Sequence, residues 1–314
     1  MLTGMDLQLP RPFTCRPLRF EDAQAVTDLT AQTEKHDLGE VFVELEDIVG
    51  HWQRPSLDLA TDSLGVFDDR LVAYGEVYKG QRAEVCVLPS HRGLGLGSAL
   101  MRWTWGVALA HGRHYVGQTV SAAQSDAREL FRANGYDELY TAWIMEFPED
   151  AEIVASPLPA GTAIRPYVPG REERAAYEVI DNAFNEWPNR DPSTYEDWAP
   201  TVVGRPGFEP WQLLVAVEDD GQVVGACYFS PLDDAGWIDQ IAVRGDRRGL
   251  GLGRALLVAA FTEARARGAT KSVLSTDSRT GALSLYEHVG MRIKQSFVHW
   301  AKQLGTDSAV ASGT

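Results

Sequence analysis

Cysteine is scarce in this chain: Cys15, Cys86 and Cys227 are the three among 314 residues, each within a strand-like run and none at a paired metal-ligand spacing. That scarcity argues against a disulfide framework and a zinc site, and buried reduced thiols are the expectation. Basic charge is also short, with 29 Lys and Arg against 44 Asp and Glu and a formal net charge of −15. A nucleic-acid surface needs clustered Lys and Arg, so no nucleic-acid partner is expected. The acidic excess favours solubility and is compatible with an amine ligand. No apolar run approaches the length that spans a membrane. Met1 to Phe13 lacks the charged stretch and apolar core of a leader. A cytoplasmic protein without a membrane partner is expected. His111 and His114 straddle Gly112 at a predicted helix end with no third ligand evident, so no metal is expected.

What the chain does have is one hexapeptide written twice, Arg92-Gly93-Leu94-Gly95-Leu96-Gly97 and Arg248-Gly249-Leu250-Gly251-Leu252-Gly253. Each copy follows a strand-like run, Val85-Cys86-Val87-Leu88 in one and Ile238 with Ile241-Ala242-Val243 in the other. Each precedes apolar residues at helical spacing: Leu100, Trp103, Val107 and Ala110, then Leu257, Ala260, Phe261 and Ala264. These helices close at Gly112 and Gly268. Glycines at a strand-to-helix turn let an anion approach the backbone N–H groups, and phosphate is the natural occupant. Two common phosphate loops are excluded by spacing. A dinucleotide fingerprint would close on Gly or Ala where Ser98 and Arg254 stand, and no Gly is followed by the Lys-Ser/Thr pair of a Walker loop.

The rest of the chain repeats in register with the two loops, at a nearly constant offset of about 150 residues. Ala133-Asn134-Gly135-Tyr136 answers His288-Val289-Gly290-Met291, Asp68-Asp69-Arg70 answers Asp219-Asp220-Gly221, and Arg16-Pro17 answers Arg165-Pro166. Two homologous domains are expected, residues 1–150 and 162–304, joined by a Pro- and Ala-rich linker at 151–161 and followed by a disordered tail at 305–314. Each reads as strand, helical segment, hairpin, strand, Gly loop, helix, strand, helix, strand: an α/β sandwich around a mixed sheet. Trp103 and Trp105 suit either a helix buried on both sides or a contact between units or protomers, so monomer and homodimer both stay open.

Arg92, Gly95 and Gly97, like Arg248, Gly251 and Gly253, match the pattern Arg/Gln-x-x-Gly-x-Gly/Ala, and on this the chain resembles the GCN5-related N-acetyltransferase (GNAT) superfamily. The resemblance implies two tandem acyl-CoA N-acyltransferase domains, each a mixed, mostly antiparallel sheet flanked by helices. It also implies acetyl-CoA as donor, with its pantetheine arm between a splayed fourth and fifth strand. The implied donor contacts are Ile241, Ala242, Val243, Arg248, Gly249, Gly251, Gly253 and Arg254 in the second domain. In the first they are Val85, Val87, Arg92, Gly93, Gly95, Gly97 and Ser98.

Such chemistry asks for a neutral amine, a donor to the developing oxyanion and a proton for the leaving thiolate. In the superfamily a Tyr in the helix before a Gly-Phe-like pair supplies that proton. Tyr286 holds that position in the second domain, while Phe131 holds it in the first and has no hydroxyl. Tyr286 therefore reads as general acid, or as a ring packed on the sheet whatever the chemistry, and the first domain reads as catalytically degenerate yet able to bind CoA. Alternation places Trp237, Asp239 and Ile241 on one face of the fourth strand. Asp239 is then a candidate base or a solvated strand residue. The corresponding residues of the first domain, Ala83 and Gln81, are not bases, and Glu84 reads as structural.

The stretch from Phe184 to Trp198 interleaves acids and aromatics. Glu186, Trp187 and Tyr195, with Trp237, are candidate contacts for a small-molecule amine; the alternative is a loop anchored by its Trp residues with its acids in water. Two fused units in a chain of this length resemble the mycothiol synthase type, whose C-terminal unit acetylates the cysteinyl amine of a glucosaminyl-inositol conjugate. The chain departs from it at Trp237, where that type would carry a carboxylate. The expected function is N-acetyl transfer from acetyl-CoA to the primary amine of a small polar molecule, with chemistry in the C-terminal domain. A non-catalytic acyl-CoA sensor or partner-binding protein is the alternative.

Overall fold

The computed structural model describes residues 9, 10, 12–187 and 190–305. The tail expected to be disordered lies outside these residues beyond Gly305, as do Pro188 and Asn189 of the acid-aromatic stretch. The chain divides into two compact units, one of residues Met1–Thr141 with Phe297–Thr314 and one of Ala142–Ser296.

The first unit runs β1 (Thr14–Arg16), α1 (Ala23–Leu38), α2 (Leu45–Trp52), α3 (Leu59–Asp62), β2 (Ser63–Asp68), β3 (Arg70–Tyr78), β4 (Arg82–Val87), α4 (Leu96–Ala110), β5 (Tyr115–Ser121), α5 (Ser125–Ala133) and the start of β6 (Asp137–Phe147). Strands β1 to β4 pair antiparallel in sequence order. Asp69, at φ +57, turns the β2–β3 hairpin, a left-handed position that Asp tolerates better than most residues. Strand β4 meets β5 in parallel at a single register pair, Arg82 with Gly117, and the two strands then part.

The second unit runs from the end of β6 through β7 (Thr162–Pro166), α6 (Glu173–Phe184), α7 (Tyr195–Trp198), β8 (Leu213–Glu218), β9 (Val223–Leu232), β10 (Ala235–Val243), α8 (Leu252–Ala266), β11 (Lys271–Asp277), α9 (Leu283–His288) and the start of β12 (Arg292–Gln303). Strands β7 to β10 are antiparallel neighbours, and β10 pairs parallel with β11 from Ala235↔Lys271 to Ile238↔Leu274, where that pairing ends. Along β9 the side chains alternate by the period of a strand. Cys227 and Phe229 enter the core under α8 with Leu256, Leu257 and Phe261, while Ala226 and Tyr228 enter the core under α6 with Val179, Ile180 and Trp198. Removing a Leu or Phe side chain of this kind from water stabilises the fold by about 1.5–3 kcal/mol, so both helices are fixed to the strands that shape the site.

The division at 151–161 is corrected by the pairing of the last strand of each repeat. Phe297 to Gln303 of β12 pair antiparallel with β5 in the first unit, and Ala142 to Phe147 of β6 pair with β11 in the second. Each repeat therefore sends its closing strand to the other unit. Sequence periodicity marks both segments as strands, but it carries no information on their partners. A second correction concerns Cys15, which is exposed on β1, whereas Cys86 and Cys227 are buried as expected.

Candidate active site

The second Gly loop is shaped by backbone conformations that L side chains rarely adopt. Gly249 lies at φ +77 and Gly251, just before α8, at φ +86, and a Cβ on either would meet no atom within 4 Å. Open space therefore lies in front of the first turn of α8, whose N–H groups have no intrahelical acceptor and sit at the positive end of the helix dipole. A Cβ on Gly253 would meet Leu285 Cδ2 at 3.6 Å and Val243 Cγ2 at 3.9 Å, ordinary contact distances, so this position faces α9 and β10 with room for a methyl group. The first loop repeats the geometry, with Gly93 at φ +77 and Gly95 at φ +84. Both loops thus combine positive-φ glycines with open space ahead of a helix N-terminus, and in each unit the strand before the loop parts from its parallel neighbour, β10 from β11 and β4 from β5.

The arginine opening each loop is held by a carboxylate from the C-terminal end of the first long helix of its unit, Asp37 in the last turn of α1 and Glu186 two residues past α6. Arg248 donates to Glu186 through Nη1 at 2.6 Å and Nη2 at 2.9 Å, and through Nε to the Val243 carbonyl at 3.1 Å. Arg92 donates to Asp37 through Nη1 at 2.8 Å and Nη2 at 2.6 Å, and through Nε to the Val87 carbonyl at 3.3 Å. Glu186, read from sequence as an acceptor contact, is thus engaged by the donor loop. Its carboxyl is lowered below the ordinary range by the Arg248 hydrogen bonds.

Strand β10 carries a bulge that sequence alternation does not reveal. Its register on β9 shifts between Ile238, opposite Phe229, and Gln240, opposite Tyr228, which leaves Asp239 as the extra residue. The shift overturns the expected sharing of one face. Trp237 lies opposite Ser230 and so shares a face with Gln240, whereas Ile241 lies opposite Cys227 and shares the other face with Ile238. Asp239 is exposed, and its Oδ2 accepts a hydrogen bond from Ser230 Oγ at 3.0 Å. In the first unit β4 pairs with β3 without interruption from Arg82 to Val87, so no residue there corresponds to Asp239.

Tyr286 lies on α9 at 7% exposure, packed in the core that contains Cys227, Phe229 and Ile238. Burial, with a smaller effect of the Cys227 sulfur, pushes its hydroxyl up to about 12, so it is protonated at neutral pH. The Cys227 thiol is itself raised, first by complete burial and then by the Asp239 charge. Phe131 occupies the corresponding place on α5 at 4% exposure, against Tyr136 and Trp300.

The other candidates lie in the segment that follows α6 and on β10. Trp187 stacks on Phe184, with ring centroids 4.5 Å apart, at the end of α6. Tyr195 packs among Tyr177 and Trp198 with the Arg174 guanidinium 4.5 Å over its ring. Trp198 Nε1 donates to Gln240 Oε1 at 2.8 Å and so anchors this segment to β10. Ser230 and Gln240 escape a reading of the sequence because their roles depend on cross-strand register. Among the described residues no group of three His, Cys, Asp or Glu is placed to hold a metal ion, and no helix is long and apolar enough to cross a membrane.

An acetyltransferase (GNAT) family model matches residues 174–291, and a GNAT acetyltransferase domain model matches residues 61–138. A mycothiol acetyltransferase of Cellulomonas flavigena is 30% identical over 237 residues, covering 70% of this chain and 68% of the relative. One of Thermobispora bispora is 31% identical over 226 residues, covering 69% and 75%. Among solved structures, a GCN5-related N-acetyltransferase from Sphaerobacter thermophilus is 32% identical with a TM-score of 0.72, covering 94% of this chain and 96% of that one. A tandem GNAT protein from the clavulanic acid biosynthesis pathway, 17% identical, shares the fold at a TM-score of 0.72 over 94% and 100% of the two chains. The twin Gly loops, the parting of β10 from β11 and these likenesses identify the chain as a tandem two-domain member of the GNAT family, an acetyl-CoA-dependent N-acetyltransferase.

Proposed function

We propose that the chain acetylates the primary amine of a small polar molecule and that the chemistry belongs to the second unit. The observation that carries this reading is the pairing of Tyr286 with a bulged Asp239 in one unit, against Phe131 and an unbulged β4 in the other. Acetyl-CoA, when bound, would supply the acetyl group as a thioester, with CoA released as the thiol once the carbon–sulfur bond breaks. The open cradle before α8, with Gly249 and Gly251 at positive φ, fits its pyrophosphate. Ile241, Ala242 and Val243 lie beyond the last β10–β11 pair, so this stretch offers backbone groups to an extended arm as a strand edge does. Gly253 and Arg254 belong to the first turn of α8, directly after those glycines.

Asp239 receives the proton that the attacking amine gives up, directly or through water, and Ser230 holds the carboxylate in position. Tyr286, protonated at neutral pH, donates its proton at Oη to the departing sulfur. Trp237 shares a face with Gln240, to which Trp198 is tied, so this aromatic surface beside the bulge is the proposed wall for the acceptor. The chain's net charge of −15 favours a cationic amine on approach.

The relatives named mycothiol acetyltransferase make a cysteinyl-glucosaminyl-inositol amine the first acceptor to try. Trp237, in place of the carboxylate expected of that type, favours other polar amines beside it. The test is thiol release from acetyl-CoA across an amine panel that includes this conjugate, with wild-type, Tyr286→Phe and Phe131→Ala proteins. Turnover that falls with Tyr286→Phe and survives Phe131→Ala supports the reading. Turnover indifferent to Tyr286 but lost with Phe131→Ala would move the chemistry to the first unit.

A further inference from the structure

The two Gly loops differ in what their carboxylates hold. In the second unit Glu186 accepts hydrogen bonds from Arg248 alone among the described residues, and the side chains of the pair are 55% and 43% exposed. In the first unit Asp37 is the counterpart, in the last turn of α1, yet its side chain is only 6% exposed. It binds Arg92 with both oxygens, Oδ1 lies 2.8 Å from His36 Nδ1, and Oδ2 also accepts from Gln124 Nε2.

Gln124 precedes α5, in the turn that leaves β5, and Arg92 stands in the turn that leaves β4. Those two strands pair only at Arg82 and Gly117 and then part. One carboxylate is therefore bonded to the turns on both sides of the opening between them. A donor whose phosphates lie on the Gly93–Gly97 loop must pass its arm through that opening.

We infer that Asp37, by joining Arg92 to Gln124, closes the donor cleft of the first unit, so that the chain takes a single acetyl-CoA, in the second unit. The closure is steric: the Asp37–Gln124 bond occupies the path of the arm. The bidentate pair with Arg92 fixes the carboxylate in that place. Burial alone would raise the Asp37 carboxyl, but the hydrogen bonds from Arg92 and His36 outweigh it and hold the group ionised. In the second unit Glu186 has no third partner among the described residues, so no such bond joins it to the turn that leaves β11. An intact first Gly loop is thus compatible with a cleft that takes no donor.

The experiment is a calorimetric titration of the full chain with acetyl-CoA, and it reads stoichiometry rather than turnover, so it stands or falls apart from the assignment of the chemistry. Wild-type protein is expected to bind one equivalent that Gly251→Glu abolishes and Gly95→Glu leaves in place. Gln124→Ala frees the β5 side of the opening and is expected to bind two equivalents, the second lost again when Gly95→Glu is added. Two equivalents in the wild type, or one equivalent in a Gln124→Ala protein that melts as the wild type does, would overturn the inference. Should Gln124→Ala fail to fold, Gln124→Ser removes the same bond, and its stoichiometry is read the same way.

Discussion

Ser230 Oγ lies 3.0 Å from Asp239 Oδ2, so a hydroxyl on β9 holds the carboxylate that the β10 bulge pushes out of the ladder. The bulge leaves Asp239 exposed, next to the residue where the β10–β11 pairing ends, while the neighbouring Ile238 and Ile241 stay in the core. Replacing Asp239 by Asn keeps the shape and the Ser230 contact but removes the proton acceptor. Asp239→Asn is expected to lower kcat by about 10²–10⁴-fold, the usual worth of a general base, with acetyl-CoA affinity unchanged. Steady-state kinetics beside a titration with CoA check this, and a kcat within about twofold of wild type would leave Asp239 a surface residue, since a base is worth far more.

Tyr286 and Phe131 supply a ready-made control for the acid. Since Phe already fills the equivalent place in the first unit at 4% exposure, Tyr286→Phe should pack without a cavity. Its melting temperature is expected to stay near wild type while kcat falls about 10²-fold or more. The pH dependence follows from the hydroxyl raised to about 12, above the roughly 10 of an unfolded chain. A raised group stabilises the fold below the unfolded value, and that contribution is lost as pH rises through the folded one. Between about pH 10 and 12 the wild type should therefore lose stability that Tyr286→Phe keeps, and no falling limb in kcat should be traceable to this tyrosine below about pH 10.

Much of this architecture is legible in the residues because it is written in local chemistry. Glycine at positive φ marks both loops, and apolar residues at helical spacing mark α4 and α8, whose ends at Gly112 and Gly268 are left-handed as expected. Two features are not legible, and both depend on pairing. The bulge at Asp239 slips the alternation by one, so counting back from Val243 puts Trp237 and Ile241 on one face when they lie on opposite ones. The exchange of β6 and β12 leaves each repeat intact in sequence while changing the unit that its last strand completes. Glu186 misleads for a related reason: an acidic residue in an aromatic-rich stretch looks like an amine contact until the fold brings Arg248 to it.

The start of the second repeat carries an ion pair whose acid sensitivity can be measured. Glu172 accepts from Arg165 at 2.7 and 2.8 Å and from the Val168 N–H at 2.8 Å, which lowers its carboxyl below the ordinary range. A lowered group contributes stability above its unfolded value, and the contribution disappears as pH falls through the folded one. Glu172→Gln is expected to lower the melting temperature at neutral pH by about 2–4 °C, corresponding to about 1 kcal/mol in a chain of this size. The difference from wild type should shrink below about pH 4, the ordinary range of a Glu carboxyl. A deficit that is the same at neutral pH as in strong acid would mean that the hydrogen-bond geometry, not the charge, is what Glu172 supplies.

Gly251 separates backbone strain from loss of the phosphate site. At φ +86, with no atom within 4 Å of the place a Cβ would take, an Ala there has room but must adopt a left-handed backbone, at a cost of about 1–2 kcal/mol. Gly251→Ala is expected to reach the native fold with a lowered melting temperature and weakened donor binding, because relief of the strain turns the first amides of α8 away from the phosphate. Gly251→Glu carries the same strain and adds a carboxylate in the space meant for an anion, so it should lose the donor altogether at micromolar to millimolar concentrations while melting close to Gly251→Ala. If both variants bound acetyl-CoA as the wild type does, the cradle before α8 would not be where the pyrophosphate sits, and the Glu186–Arg248 pair beside it would have to be explained without the donor.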